Sequence, residues 1–579
     1  MRLSNNAIRF LIAQYRAVYQ RAWVSGLASA AMVTAGLAGG QSVGHAAALD
    51  DLSKAKGDIT ITGVSSDSGA SNRWESLSVS GTGVLPAPAF NLTVTGGAFG
   101  SNTVSADSGA ATLKSSKKLI LAAGAADQGI TFKAGKASET LTAEFDEVRV
   151  SRGTLALNEH NSAAKATLAA RSFTVGGAGS TPAQAMVVLG RSATLGQSIA
   201  AGDLSGMTSL TLSQGGAISS AKPQSSSVSN VIINAPTFKL NGGDLSFVTT
   251  TSSKTYGATA YVNLVQGVMD GGSINLDQGS YLDMVFADDA LKITQEGKEA
   301  ARSLAFNSGT LKLQGNFKIK NGGTVTIGDA VKLTGGDNAV FALSGSNSKS
   351  SPPVVLKTSL ARLHDIIGTT RLQTKNAVLS ISTDENIDLS QFMFVGGSSP
   401  SAGKIAAGLN TVIEADNISI TTDGGRQSTG VNVRAREKLT LGASNFMTQP
   451  GIGFGKFEAR NVEFIDSAAG KVPFFLKNAL TLSSTKEAVA YDGSPCHEAL
   501  PGTITGDFIL QEELTIKGGI YQTSSDITIG KDHSINLTSW DGAASQLIFT
   551  GGTLTLEDYN NQIMLAVNGE GALLDLTKA

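Results

Sequence analysis

One cysteine, Cys496, stands in 579 residues. No disulfide can therefore form within the chain, and its fold must rest on a core and on backbone ladders. Charge is also scarce: 16% of residues are charged and the formal net charge is −2. That balance excludes the basic footprint of a nucleic-acid binder and any broad attraction to an anionic membrane surface. Aromatics make up 6% of the chain, and Trp74 and Trp540 are too few to build a sugar-stacking platform. Long stretches lack residues that favour helix. What the chain does have is 67 glycines, many Ser and Thr, and Val, Ile and Leu recurring from end to end within a 41% apolar content. Such regularity argues against disorder and suits many short strands joined by tight turns around a large core.

The first 48 residues differ from the rest. "MRLSNNAIRFLIAQYRAVYQRA" carries Arg2, Arg9, Arg16 and Arg21, and the first carboxylate of the chain is Asp50. "WVSGLASAAMVTAGLAGG" follows, a small-residue apolar run of signal-peptide size that is too weakly apolar to span a bilayer. Ala46 and Ala48 then provide a small-x-small cleavage site. We read residues 1–48 as a helical signal peptide of the Sec type, removed near Ala48.

Beyond it one phrase recurs: an apolar residue, one intervening residue, an apolar residue, fenced by Gly, Asn or Asp. Examples are Leu92/Val94, Val148/Val150, Phe173/Val175, Leu210/Leu212 and Phe238/Leu240, with later members at Leu379/Ile381, Leu480/Leu482, Leu514/Ile516 and Ile535/Leu537. Period-two alternation puts both members of a pair on one face of a strand. A stricter form opens with a Gly-Gly corner, at Gly242, Gly271, Gly322 and Gly551. The strands are shorter and closer together than a β-sandwich uses, and their irregular spacing does not suit a propeller. The fold expected is all-β, a parallel β-helix or β-solenoid, with tandem antiparallel β-sandwiches as the alternative. At roughly 20–25 residues per coil and about 4.8 Å per rung, the chain would stack into a rod on the order of 100 Å.

Two sections are expected, 49–350 and 351–579, with a joint at the Pro-rich "SPPVV". A short helix is predicted at 359–367, with Ser359 as N-cap and Gly368 as stop, and a second helical candidate begins at Thr294.

The search for chemistry is negative. Asp288-Asp289 lacks the other elements of a pectinase-like site, and exposed loop carboxylates account for it. Cys496-His497 are neighbours in sequence, which rarely gives a nucleophile–base geometry. The histidines His45, His160, His364, His497 and His533 are scattered. "GGDNAVFAL" at Gly335 departs from a calcium-binding nonapeptide, and Gly455-Lys456 lacks the flanks of a phosphate loop. No catalytic residue, cofactor site or metal site is assigned.

The long Arg-rich leader and the low-charge, Gly/Ser/Thr-rich body resemble those of type V secretion proteins, the autotransporters, and the body looks like a passenger domain. The resemblance implies a Gram-negative exported protein located at the cell surface, associated with the outer membrane or extracellular, and periplasmic without a translocator. It implies Sec export and an adhesin-like or structural role without catalysis, with host or cell-surface glycans or proteins as partners. The end "VNGEGALLDLTKA" lacks barrel-strand character, so the outer-membrane translocator is expected outside this chain. A polysaccharide-active β-helical enzyme and a non-adhesive spacer or surface-layer element are the alternatives.

Overall fold

Leu119 and Leu121 are fully buried in the strand Lys118–Ala122, while the residues between and beside them are not. That strand pairs in parallel on both sides, Leu92 and Val94 lying against Leu119 and Leu121, which in turn lie against Val148 and Val150. The same inward column continues through Phe173/Val175, Leu210/Leu212 and Phe238/Leu240. The apolar pairs spaced irregularly along the sequence are thus consecutive rungs of one ladder, each resting on the next. Each buried Leu or Phe contributes about 1.5–3 kcal/mol of hydrophobic stabilisation, and parallel backbone pairing fixes its register.

These relationships come from a computed structural model of the protein. It describes residues 59–61, 77–80, 91–94, 103–108, 110–134, 138–158, 164–177, 184–221, 230–247, 257–336, 338–346, 352–395, 404–420, 431–442, 454–465, 474–483, 501–539, 543–557 and 565–579. Residues 1–48, with Ala46 and Ala48, lie outside the described residues, as do Trp74, His160, Cys496, His497 and Trp540.

The chain is all-β, and its internal contacts divide it into two units, residues 1–302 with 308–315 and residues 303–307 with 316–579. Both are built from parallel rungs. The antiparallel meander of tandem sandwiches is not how these rungs pair.

In the second unit Val325, Leu356, Leu379, Ile413, Val433, Phe457, Leu480, Leu514 and Ile535 form one buried column over successive strands. Near its C-terminal side three strand series run together: Phe474–Leu476, Phe508–Leu510 and Ile527–Ile529 in one; Leu480–Leu482, Glu513–Lys517 and Ser534–Thr538 in the second; Pro501–Thr505, Gly519–Thr523 and Ser545–Phe549 in the third. Phenylalanines stack within this interior, with Phe464 and Phe508 ring centroids 4.4 Å apart.

The repeat ranges beyond the roughly 20–25 residues per coil expected. Facing residues are separated by 19 at Asp507/Asp526, 29 at Asn234/Asn263 and 42 at Asn461/Thr503. Parallel pairing is kept across these unequal steps, with register shifts such as that between Ala415 and Asn417.

The Gly-Gly corners stack as well. Gly272 has φ +76°, and a Cβ there would collide with the Gly243 carbonyl of the preceding rung. The corner therefore requires glycine for both backbone angle and space.

The first predicted helix spans Leu360–Thr369 in the second unit. Ser359 Oγ accepts from Arg362 N–H at 3.2 Å, an N-cap, and Leu363, Ile366 and Ile367 form the buried face. Gly368 does not stop the helix; the chain turns out at Thr370, whose N–H and hydroxyl both donate to Ile366 O. Pro352–Pro353 lie inside this unit, with Pro353 O accepting from Gly323 N–H just before the strand Val354–Ser359.

The second helical candidate is corrected. Ile293–Gln295 and Lys298–Glu299 form an antiparallel hairpin, pairing Gln295 with Lys298. Glu296 (φ 51°) and Gly297 (φ 77°) supply the two left-handed residues that such a two-residue turn demands. This turn geometry overrides the helix propensity of the Glu- and Ala-containing sequence that follows.

Candidate functional site

An open groove of about 460 Å³ runs across the outer face of the first unit. Its floor is set by strand register. Thr142, Thr167 and Thr194 occupy the same outward position on three successive rungs, and Ile232 follows on the next. Two residues further along each strand, Glu144 faces Ala169, and Asn234 faces Asn263. Ala169 and Gly196 have little or no side chain, so the floor dips between Glu144 at one end and the amides at the other.

At Gly196 the chain leaves the ladder, and Gln197 and Ser198 line the groove beside it. That departure is anchored by Gly196 N–H to Leu168 O (2.8 Å) and Gln197 N–H to Thr208 Oγ1 (3.4 Å). Asn263 Nδ2 donates to Asn234 Oδ1 at 2.7 Å, which fixes the amide row. Glu144 is paired with Lys114 Nζ at 2.7 Å. Among the described residues, no Lys, Arg, His or aromatic side chain lines the groove.

The second unit carries a charged cluster in one outward column. Ser380, Glu414, Arg434 and Glu458 face one another on consecutive rungs. Glu414, whose side chain is 5% exposed, accepts from Ser380 Oγ (3.0 Å), Arg434 Nη1 (3.2 Å) and Arg436 Nη1 (2.7 Å). Arg434 also meets Glu458 at 2.6 Å, and Arg436 meets Asp416 at 2.6 Å. Burial works to lower the Arg434 guanidinium, but Glu458 and Glu414 outweigh it and hold it above its ordinary value. The cluster closes on itself, with each carboxylate engaged by an arginine of an adjacent rung, and this suits it to joining strands.

Asp288 and Asp289 lie in the turn after the strand Tyr281–Phe286, off the sheet. Asp288 is exposed and caps Ala290 N–H, while Asp289 Oδ1 meets Arg302 Nε at 3.2 Å. Arg302 also donates to the carbonyls of Ala287, Asp288 and Leu291. It thereby ties a side lobe of the first unit built on Leu204, Val265, Ala287, Ile293 and Ala300. Burial holds the Asp289 carboxyl above its ordinary value; Arg302 opposes this, and Asp288 and Glu299 add to it. The pair is part of a structural tie.

His364 stacks on Phe392 at 5.0 Å on the helix, far in sequence from His533, whose N–H closes a turn onto Gly530 O. Lys456 sits in the strand Phe454–Ile465, where its N–H donates to Asn432 Oδ1, and residues 451–453 of the same motif lie outside the described residues. Gly335 stands against Thr369 O, with Asp337 of the same motif outside the described residues. Among the described residues no group of three or more His, Cys, Asp or Glu is placed to hold a metal ion, and no helix is long and apolar enough to cross a membrane.

Sequence reasoning missed the groove. Its threonines belong together only through a register whose steps are unequal, so no fixed period in the sequence points to them. No protein-family model, curated protein or solved structure matches this chain.

Proposed function

We propose that this chain is an exported, surface-associated β-solenoid of the autotransporter-passenger type, with a structural or adhesin-like role and no catalytic turnover. The observation that carries this reading is the registered parallel ladder. Aliphatic pairs repeat inward, and polar residues repeat outward at one rung per strand. Such a scaffold presents side chains in rows and gains surface by adding rungs. The Arg-rich leader with its Ala46/Ala48 site supports export, and a body that needs no disulfide tolerates passage through several compartments. Low net charge suits a surface that binds through shape and hydrogen bonds.

The test is expression of the full chain in a Gram-negative host, followed by fractionation and intact-mass measurement. The expected product begins at Leu49, the residue after the Ala48 cleavage position. It is absent from the cytosol, and protease shaves it from intact cells when a translocator is supplied. A chain that stays cytosolic with Met1 in place would sink the proposal.

A further inference from the structure

Some residues of the first unit's groove tie neighbouring rungs, as Asn263 does to Asn234 and Glu144 to Lys114, but its lining as a set is chemically selective. We propose that it binds a neutral, polyhydroxylated chain, an oligosaccharide, laid across the rungs. This assignment rests on the reading of the outward ladder as a binding surface and names its ligand class.

Each competing class of ligand lacks something it needs. Phosphate, nucleic acid and sulfated glycans need cations, and among the described residues none lines the groove. A metal ion needs several carboxylates; Glu144 is the one present, and it is engaged by Lys114. An extended peptide would be held by a free sheet edge. Here the strands beneath the groove are paired on both sides: Thr140–Leu157 with Ala110–Lys114 and Lys165–Val175, and Ala193–Leu195 with strands above and below. A lipid would need a continuous apolar lining, and Ile232, 36% exposed, is the one large apolar side chain there.

What the groove offers is a row of threonine hydroxyls, each able to donate and accept, spaced by about 4.8 Å along the ladder. Beside them runs the parallel row of Ala169 and Gly196, closed at one end by the Asn234 and Asn263 amides, with the Gln197–Ser198 segment next to Gly196. From the Glu144 rung to the Asn263 rung is four steps, roughly 19 Å. A linear sugar chain presents hydroxyls along its length at comparable intervals, and the recess admits it edge-on, with no aromatic side chain among the lining residues described.

The test uses the purified mature chain and isothermal titration with four neutral hexasaccharides (cello-, laminari-, malto- and fully N-acetylated chito-hexaose), alongside a heparin-derived hexasaccharide. The variant T142V/T167V/T194V keeps side-chain shape and strand preference but deletes the hydroxyl row. The matching triple Thr→Ser variant keeps the hydroxyls. We expect at least one neutral probe to bind, the Val variant to lose at least roughly tenfold in affinity with an unchanged melting curve, and the Ser variant to stay within roughly threefold. Binding of none of the neutral probes, binding indifferent to the Val variant, or preference for the heparin fragment would each overturn the assignment. Those failures leave the export and shaving results untouched, so the groove and the surface role fail separately.

Discussion

Glu414 illustrates how much one outward residue can hold. Its carboxylate is nearly inaccessible and is shared by Ser380, Arg434 and Arg436, so neutralising it takes from each guanidinium one of its two carboxylate partners and leaves Glu458 and Asp416 in place. Hydrogen bonds to a charged group contribute more than neutral ones, and a buried donor left poorly matched keeps its desolvation cost. Glu414→Gln should therefore cost about 1.5–3 kcal/mol of apparent stability in urea titrations followed by circular dichroism. A loss below about 0.5 kcal/mol would place the cluster among exposed pairs that contribute little.

Asp289 behaves in the opposite sense. Its folded-state carboxyl lies above the ordinary value because of burial, so the folded protein binds the extra proton more readily than the unfolded chain does. Its contribution is accordingly favourable below the ordinary carboxylate range and is lost as pH rises through the raised value. Asp289→Asn should gain melting temperature relative to the parent as pH goes from about 4 to about 7. If the variant instead falls behind at the higher pH, the Arg302 contact outweighs burial.

At the scale of single elements, the helix Leu360–Thr369 carries an exposed glycine, Gly368, with nothing within 4 Å of a built Cβ. Glycine costs about 0.5–1 kcal/mol against alanine in such a position. Gly368→Ala should stabilise by about that amount in thermal melts, whereas a loss would mean that the helix end needs glycine after all. The helix itself was readable because Ser359 and the Leu363/Ile366/Ile367 spacing are local signals. The strands were readable for the same reason, since alternation within three to five residues fixes which side chains face inward. The Thr294 segment was not, because Glu296 and Gly297 act through two backbone angles that the helix-favouring residues around them conceal. The groove was harder still. Thr142, Thr167 and Thr194 become neighbours through strand register alone, and the steps in sequence between their rungs are unequal. In this chain local patterning specifies the rungs, and their vertical alignment is a property of the stack.

That division has a consequence for the whole molecule, best seen in the second unit, where three strand series repeat in order. Asp526 N–H donates to Asp507 Oδ1 19 residues earlier, so the two occupy equivalent corners of adjacent rungs. Removing residues 508–526 joins Asp507 to Ile527 and brings Ile527–Ile529 into the place of Phe508–Leu510 against Phe474–Leu476. Ser534–Thr538 then takes the place of Glu513–Lys517, and Ser545–Phe549 that of Gly519–Thr523, so every later strand stays in its own series. The loss is one set of nearest-neighbour contacts, including the Phe464–Phe508 stack. A smaller deletion, residues 508–517, does the greater damage. It leaves Gly519–Thr523 following Asp507, which moves each downstream strand into the wrong series and turns aliphatic side chains against polar ones. In a structure stabilised by neighbour-to-neighbour terms, the 508–526 deletion should keep its β-type circular dichroism and a cooperative melt at a modestly lower temperature. The 508–517 deletion should lose the section after residue 507 to limited proteolysis. Equal tolerance of the two deletions would show that the strands are not locked in ordered series, and the proposed solenoid would fail with that result.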